Sequence, residues 1–373
     1  TVPAPARPAD SAVPGAPKKR TRLVTLDLMR GYYVGVLAAI HLNYLPSLFG
    51  WFDGRGVLLT SEAEGFFFIS GLLVGMLRRR DLEKRGFARM TRNSWKRGLQ
   101  LYVVAISLTL LFTYIGRYAV DHGSTKVKVG LDSWSSFPTV LENALMLKYT
   151  YGWADFLTFY VPMFLLAPLV VWMMSKRLTP LVLALAYCGF LLPSHFNTRF
   201  YGPFLQWEVY FFFGAVVGYH WDELRALMHR LAPSRRRMIK TAAAAGAIIA
   251  YAIGMVLLHH PTLMPKHGHY NSLFQNNRLG LLRPFVALVC IAGAYIIVHH
   301  FEGFISRTVG KVLLPFGRSS LYVYVAQSFF VFLVPFAFAA KNWWFNTAFD
   351  LSVIALILLA VRTRFLAFLI PKA

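Results

Sequence analysis

Residues 27–41 read DLMRGYYVGVLAAIH, with an aspartate and an arginine at the mouth of an apolar run and a histidine eleven residues beyond the arginine. Eleven helical residues make about three turns, roughly 16 Å of rise and only ~20° of angular drift, so Arg30 and His41 share a face. Asp27, three residues before Arg30, is within pairing reach of it. A charged group and a titratable group are costly to bury in such surroundings, and each needs a partner or a job.

The rest of the chain sets this stretch in a membrane. Of 373 residues, 57% are hydrophobic and 16% aromatic, and mean hydropathy is +0.50. The apolar residues gather in blocks of roughly 17 to 22, the length that crosses a bilayer. LLTSEAEGFFFISGLLVGML and VIALILLAVRTRFLAFLI lack the polar–apolar alternation of soluble elements. Such blocks are also too long for barrel strands. The expectation is an all-α polytopic membrane protein with about ten transmembrane helices, near 31–50, 57–77, 98–116, 156–174, 179–194, 203–220, 241–258, 284–300, 319–339 and 346–362. The stretch LENALMLKYTYGWADF, ahead of the fourth span, is too polar to cross alone and reads as a short interfacial or re-entrant helix.

The net charge of +23 collects in KKRTR, RRRDLEKRGFARMTRNSWKR, SKR, LRALMHRLAPSRRRMIK and RTR, on alternate loops. Basic loops face the cytoplasm, so both termini are expected there. No nucleic-acid module accompanies the charge, which leaves the lipid bilayer rather than DNA or RNA as its partner. Cys188 and Cys290 lie in apolar runs and read as small hydrophobes, and no metal-ligand spacing occurs. Residues 1–22, rich in Pro, Ala and then Lys and Arg, lack an apolar signal core and read as a disordered basic tail before one membrane domain, 23–373.

Further polar groups punctuate the apolar runs. Glu62 and Glu64 open the second span on different helical faces, so that one of them is expected to turn inward. Ser70 and Gly71 permit close approach of a helix or ligand. Arg92, Lys96 and Arg97 form a cluster that suits phosphates. Asp155, Tyr160, Trp207, Glu208, Arg278, Arg283 and Gln327 follow in later spans and their margins. Together they sketch a channel with a cationic cytoplasmic mouth, a histidine midway and carboxylates and aromatic groups beyond. A molecule with a phosphorylated head and a long thin arm fits it, and coenzyme A thioesters have that shape.

DLMRGYYVGVLAAIH resembles the arginine–ten residues–histidine motif of the membrane-bound acyltransferase-3 superfamily. Within that group AEGFFFISG, RNSWKRGLQLYVV, ADFLTFYVPMFLLAP, NTRFYGPFLQWEVYFFFG, RLGLLRPFVALV and GRSSLYVYVAQS, in this order, resemble the OpgC family, which succinylates osmoregulated periplasmic glucans. The resemblance implies a ten-helix O-acyltransferase of the bacterial inner membrane, taking an acyl group from cytoplasmic acyl-CoA to a glucan hydroxyl on the periplasmic side. It maps the family's arginine and histidine onto Arg30 and His41, its Asp–Leu–Tyr segment onto Asp155, Leu157 and Tyr160, and its late arginine onto Arg283. Ile40 stands where the family often has Asp before the histidine, so another carboxylate, Glu64, Asp155 or Glu208, would have to orient His41. Gln327 stands where the wider group often has His.

On this reading Arg30, Arg92, Lys96 and Arg97 hold the donor phosphates, and His41 is the general base. Tyr160, Trp207, Arg278 and Arg283 line the acyl and acceptor end, an arginine there receiving the free carboxylate of a succinyl group. No cofactor is permanently bound; succinyl-CoA or acetyl-CoA is a substrate. Acylation of His41 itself is the rival chemistry. An acetyltransferase acting on another surface glycan, or a transporter or flippase for an anionic lipid or sugar, would use similar residues. A homodimer is compatible with the sequence, although no helix face compels one.

Overall fold

The structure is a computed structural model that describes residues 23–53, 59–124, 136–192, 201–260, 263 and 280–365. The basic tail at 1–22 and Arg278 lie outside the described residues. Every regular element among the described residues is helical.

The first helix, α1, runs Val24–Leu42. It begins earlier than the expected span and ends eight residues sooner, because Asn43 takes a left-handed conformation (φ 57°) and caps the helix through its N–H to the Ile40 carbonyl. A separate short helix, α2, occupies Phe49–Asp53.

Helix α3, Glu62–Asp121, carries both the second and the third expected spans and the basic stretch between them. It is broken at Gly86, whose φ of 76° suits glycine and few other residues. Across the break Asn93 donates to Asp81 at 3.1 Å. A straight helix would hold residues twelve apart at about 18 Å, so the two arms fold back on one another at Gly86. The expected basic loop is therefore helix on both sides of a single glycine.

A short helix precedes the fourth span, α4, Phe137–Leu145, capped by the Ser136 hydroxyl, but it begins four residues before the expected stretch 141–156 and covers only its first five residues. Then come α5 (Asp155–Ser175), α6 (Thr179–Leu191), α7 (Tyr201–Tyr219), α8 (Trp221–Arg230) and α9 (Pro233–His259). The chain closes with α10 (Arg283–His300), α11 (Glu302–Arg307), α12 (Gly310–Arg318), α13 (Ser320–Ala337) and α14 (Trp343–Thr363). Among the described residues six helices are long and apolar enough to cross a membrane, namely α3, α5, α9, α10, α13 and α14. Each of the ten expected stretches overlaps a helix, but the first also takes in the non-helical residues 43–48, α3 contains two of them, α6 has only 13 residues, and α1 and α7 do not pass that criterion.

Small residues bring the helices together. Gly71 and Gly75 of α3 face Gly214 and Gly218 of α7, and each lies so close to the opposing backbone that a Cβ would collide; on Gly71 it would sit 1.8 Å from the Phe211 carbonyl oxygen. Gly31 of α1 similarly meets the Leu313 carbonyl of α12. The C-terminal arm of α3 binds α5, where Ser94 donates to the Phe164 carbonyl at 2.7 Å and the Trp95 indole to that of Leu165 at 3.1 Å. On the basic side, Arg79 ties α3 to α8 through Glu223 at 2.6 Å and lies 4.9 Å from the Tyr219 ring.

Candidate functional site

Three arginines converge on one cavity of about 200 Å³ between α1, both arms of α3, α5 and α13. Arg30 comes from α1 and donates to the hydroxyl of Ser320. Arg97 comes from the C-terminal arm of α3. The third is Arg78, which the sequence reading passed over as the first of three consecutive arginines. Ser70, Val74 and Arg78 follow one another at intervals of four and all line the cavity, and that spacing was the available signal. Arg78 is held by Asp81 at 2.7 Å, itself held by Asn93 from the other arm, so the fold at Gly86 positions this guanidinium.

Arg92 and Lys96 do not join them. The expected cluster of Arg92, Lys96 and Arg97 is divided, because residue 97 lies about 100° around the helix from residue 96 and faces the interior. Arg92 and Lys96 line a different, laterally open groove against α5.

The cavity's wall continues up α13. Ser320 and Tyr324 line it, and Gln327, on the same helical face, meets the His41 ring, with its side-chain nitrogen 3.4 Å from Nδ1. The contacts Arg30–Ser320 and His41–Gln327 advance in the same sense, so α1 and α13 run parallel. Among the described residues the side chain hydrogen-bonded to His41 is thus an amide. No hydrogen bond links the three expected carboxylates to it. Glu64 is bound elsewhere, Asp155 accepts from the backbone N–H of Phe156 at 2.6 Å, and Glu208 is buried against Gly189, where a Cβ would lie 2.6 Å from its Oε1.

Glu62 and Glu64 are both buried, where one was expected to be. Glu64 is fully enclosed and forms an ion pair with Arg283, itself 1% exposed. Its other oxygen accepts from the Thr60 hydroxyl at 2.6 Å and from the Ser61 N–H at 3.0 Å. The Ser-x-x-Glu spacing at 61–64 is a capping-box signature legible in the sequence. Asp27 faces Arg318 at 3.7 Å, a partner on another helix besides any within α1.

A second cavity, of about 370 Å³, opens at the N-terminal end of α5 and is lined by Lys148, Tyr149, Thr150, Asp155, Thr158 and Trp207 among others. Phe67 links the two cavities' linings, stacked on Tyr160 of the arginine cavity at 4.7 Å and on Trp207 of this one at 5.4 Å. Tyr160 belongs to the arginine cavity and donates to Ser70 at 3.2 Å. The expected Asp155 and Trp207 thus share this cavity, and Tyr160 lies on the arginine side, joined to Trp207 through the Phe67 ring.

A family model described as OpgC protein matches residues 22–367. No curated protein and no solved structure gives a match.

Proposed function

The chain belongs to the OpgC family, and from there we propose that this multi-pass membrane transferase moves a succinyl group from cytoplasmic succinyl-CoA to a hydroxyl of a periplasmic glucan, within the bacterial inner membrane. The observation that carries this reading is that α1 and α13 hold Arg30 and Ser320 at the three-arginine cavity and, further along the same two helices, His41 against Gln327. Arg30, Arg78 and Arg97 hold the phosphates of the donor. Asp81 pairs with Arg78, and three guanidinium groups gathered on one cavity favour a polyanion there. The thioester arm then runs toward His41, over the roughly 16 Å that separates it from Arg30 along the helix.

Neutral His41 takes the proton from a sugar hydroxyl as the oxygen attacks the thioester carbonyl. The tetrahedral intermediate collapses, the carbon–sulfur bond breaks, and the thiolate recovers the proton from the imidazolium. For Nε2 to be the base, Nδ1 must carry the hydrogen, and Gln327 must turn its amide oxygen toward it. That oxygen is buried and lacks a hydrogen-bond partner among the described residues in the orientation with nitrogen toward the ring, and the two amide orientations fill the same space. Gln327 then does the orienting that a carboxylate was expected to do. The acceptor enters by the cavity at the start of α5, with Trp207 as the apolar face for a sugar ring and Asp155 and Thr158 as hydroxyl partners. Arg283 is already neutralised by Glu64, so the choice of succinyl over acetyl rests on the family alone.

The test is transfer of label from succinyl-CoA or acetyl-CoA to a periplasmic glucan by the full chain in liposomes, the two donors in competition. Labelled glucan with a preference for succinyl supports the reading. Movement of an anionic lipid or sugar across the bilayer, with no acyl transfer and no binding of coenzyme A, replaces it with a transporter.

A further inference from the structure

Arg92 and Lys96 line neither cavity of the site, and the groove they do line has the shape of another ligand. It measures about 930 Å³ and lies between the C-terminal arm of α3 and α5, open to the side. Phe87, Trp95, Leu99 and Tyr102 form its wall on α3, with Val161 and Leu165 across from them on α5. From Arg92 to Tyr102 the helix advances about 15 Å, the depth of one leaflet's hydrocarbon and enough to accompany a lipid chain. Leu99 is 61% and Trp95 53% exposed, and the indole is fixed by its hydrogen bond to Leu165. Arg92 and Lys96 stand one turn apart about the middle of this wall, Arg92 on the Gly86 side, and neither has an ion-pair partner among the described residues. The lining contains no aspartate or glutamate. Beside them the Thr91 hydroxyl is buried without a hydrogen-bond partner among the described residues.

We propose that this groove binds an anionic phospholipid of the leaflet on the Gly86 side, its phosphate on Arg92 and Lys96 and an acyl chain along Trp95, Leu99 and Tyr102. Two cations without a compensating carboxylate favour a net negative headgroup over a zwitterionic one. A long apolar trough favours a lipid over a free phosphate. The site is separate from the donor cavity and does not depend on the acyltransferase reading.

Native mass spectrometry of the full chain in detergent, titrated with phosphatidylglycerol or phosphatidylcholine, tests it. The wild type should retain phosphatidylglycerol about tenfold better, and Arg92→Gln/Lys96→Gln should lose that preference. Arg235→Gln/Arg237→Gln, which alters exposed basic residues elsewhere, should keep it. Leu99→Trp, which fills the trough and spares the charges, should lower retention of both lipids. The proposal falls if Arg92→Gln/Lys96→Gln keeps the preference, or if the control pair loses it equally. It also falls if inorganic phosphate or free coenzyme A displaces the lipid, since the cations would then serve a soluble anion.

Discussion

Arg283 and Arg30 both stand in the helical bundle, yet one is closed off and the other faces a cavity. Arg283 has a carboxylate partner, and that carboxylate spends its second oxygen on the start of α3. Arg30 reaches the hydroxyl of Ser320 on another helix and lines a cavity together with two more guanidinium groups. A buried charge matched by an opposite charge fixes helices in place, whereas like charges gathered around a cavity leave a field for a ligand. The same residue type, at similar cost in an apolar setting, thus serves structure in one region and, on the proposed reading, binding in the other.

The comparison breaks most visibly at the closed pair. Arg283→Leu or Glu64→Leu leaves a lone buried charge and should lower stability by about 3–5 kcal/mol, while the double variant recovers most of the loss. Thermal unfolding in detergent reads this, and single variants that melt with the wild type would remove Arg283 from the structural role. At the open set, Arg78→Gln and Arg97→Gln should each raise the donor KM by roughly tenfold, about 1.5 kcal/mol for a charge-assisted hydrogen bond, without a comparable loss of stability. Donor KM unchanged in both would mean the cavity binds something else.

Gln327→Glu sharpens the account of His41. An anion beside the ring favours the imidazolium, so the pH below which transfer fails should move upward. A profile that stays in place would separate Gln327 from the base. The smallest effect belongs to the surface. Burial by itself would push the Glu223 carboxyl up, but its hydrogen bond and charge contact with Arg79 hold it below its ordinary range. A depressed pKa contributes stability above the unfolded value and loses it as pH falls through the folded one. Glu223→Gln should therefore cost less than about 1 kcal/mol at neutral pH and nothing in acid, since the pair is half exposed.

Much of the helical layout was legible because apolar length is a local property. The break at Gly86 was not, since a basic, polar stretch reads as a loop whether or not it is wound. Arg30 and His41 stood out because charge inside an apolar run is conspicuous in one dimension, and Arg97 stood out only as one of a basic cluster. The failures concern partners. Nothing local distinguishes Arg78 from its two neighbours except the face it shares with Ser70, and nothing local tells that Arg283 meets Glu64, 219 residues away. Chemical expectation also misled, because a histidine base suggests a carboxylate orienter, and here the ring meets the amide of Gln327.

The central claim is that His41 acts on an acyl group delivered from the arginine cavity. Its most direct test is label transfer from succinyl-CoA to glucan by His41→Ala beside the wild type, with donor affinity and thermal unfolding measured on the same preparations. The account predicts a fall in kcat of about 10²–10⁴-fold, with affinity and unfolding unchanged. Transfer by His41→Ala at the wild-type rate would contradict it.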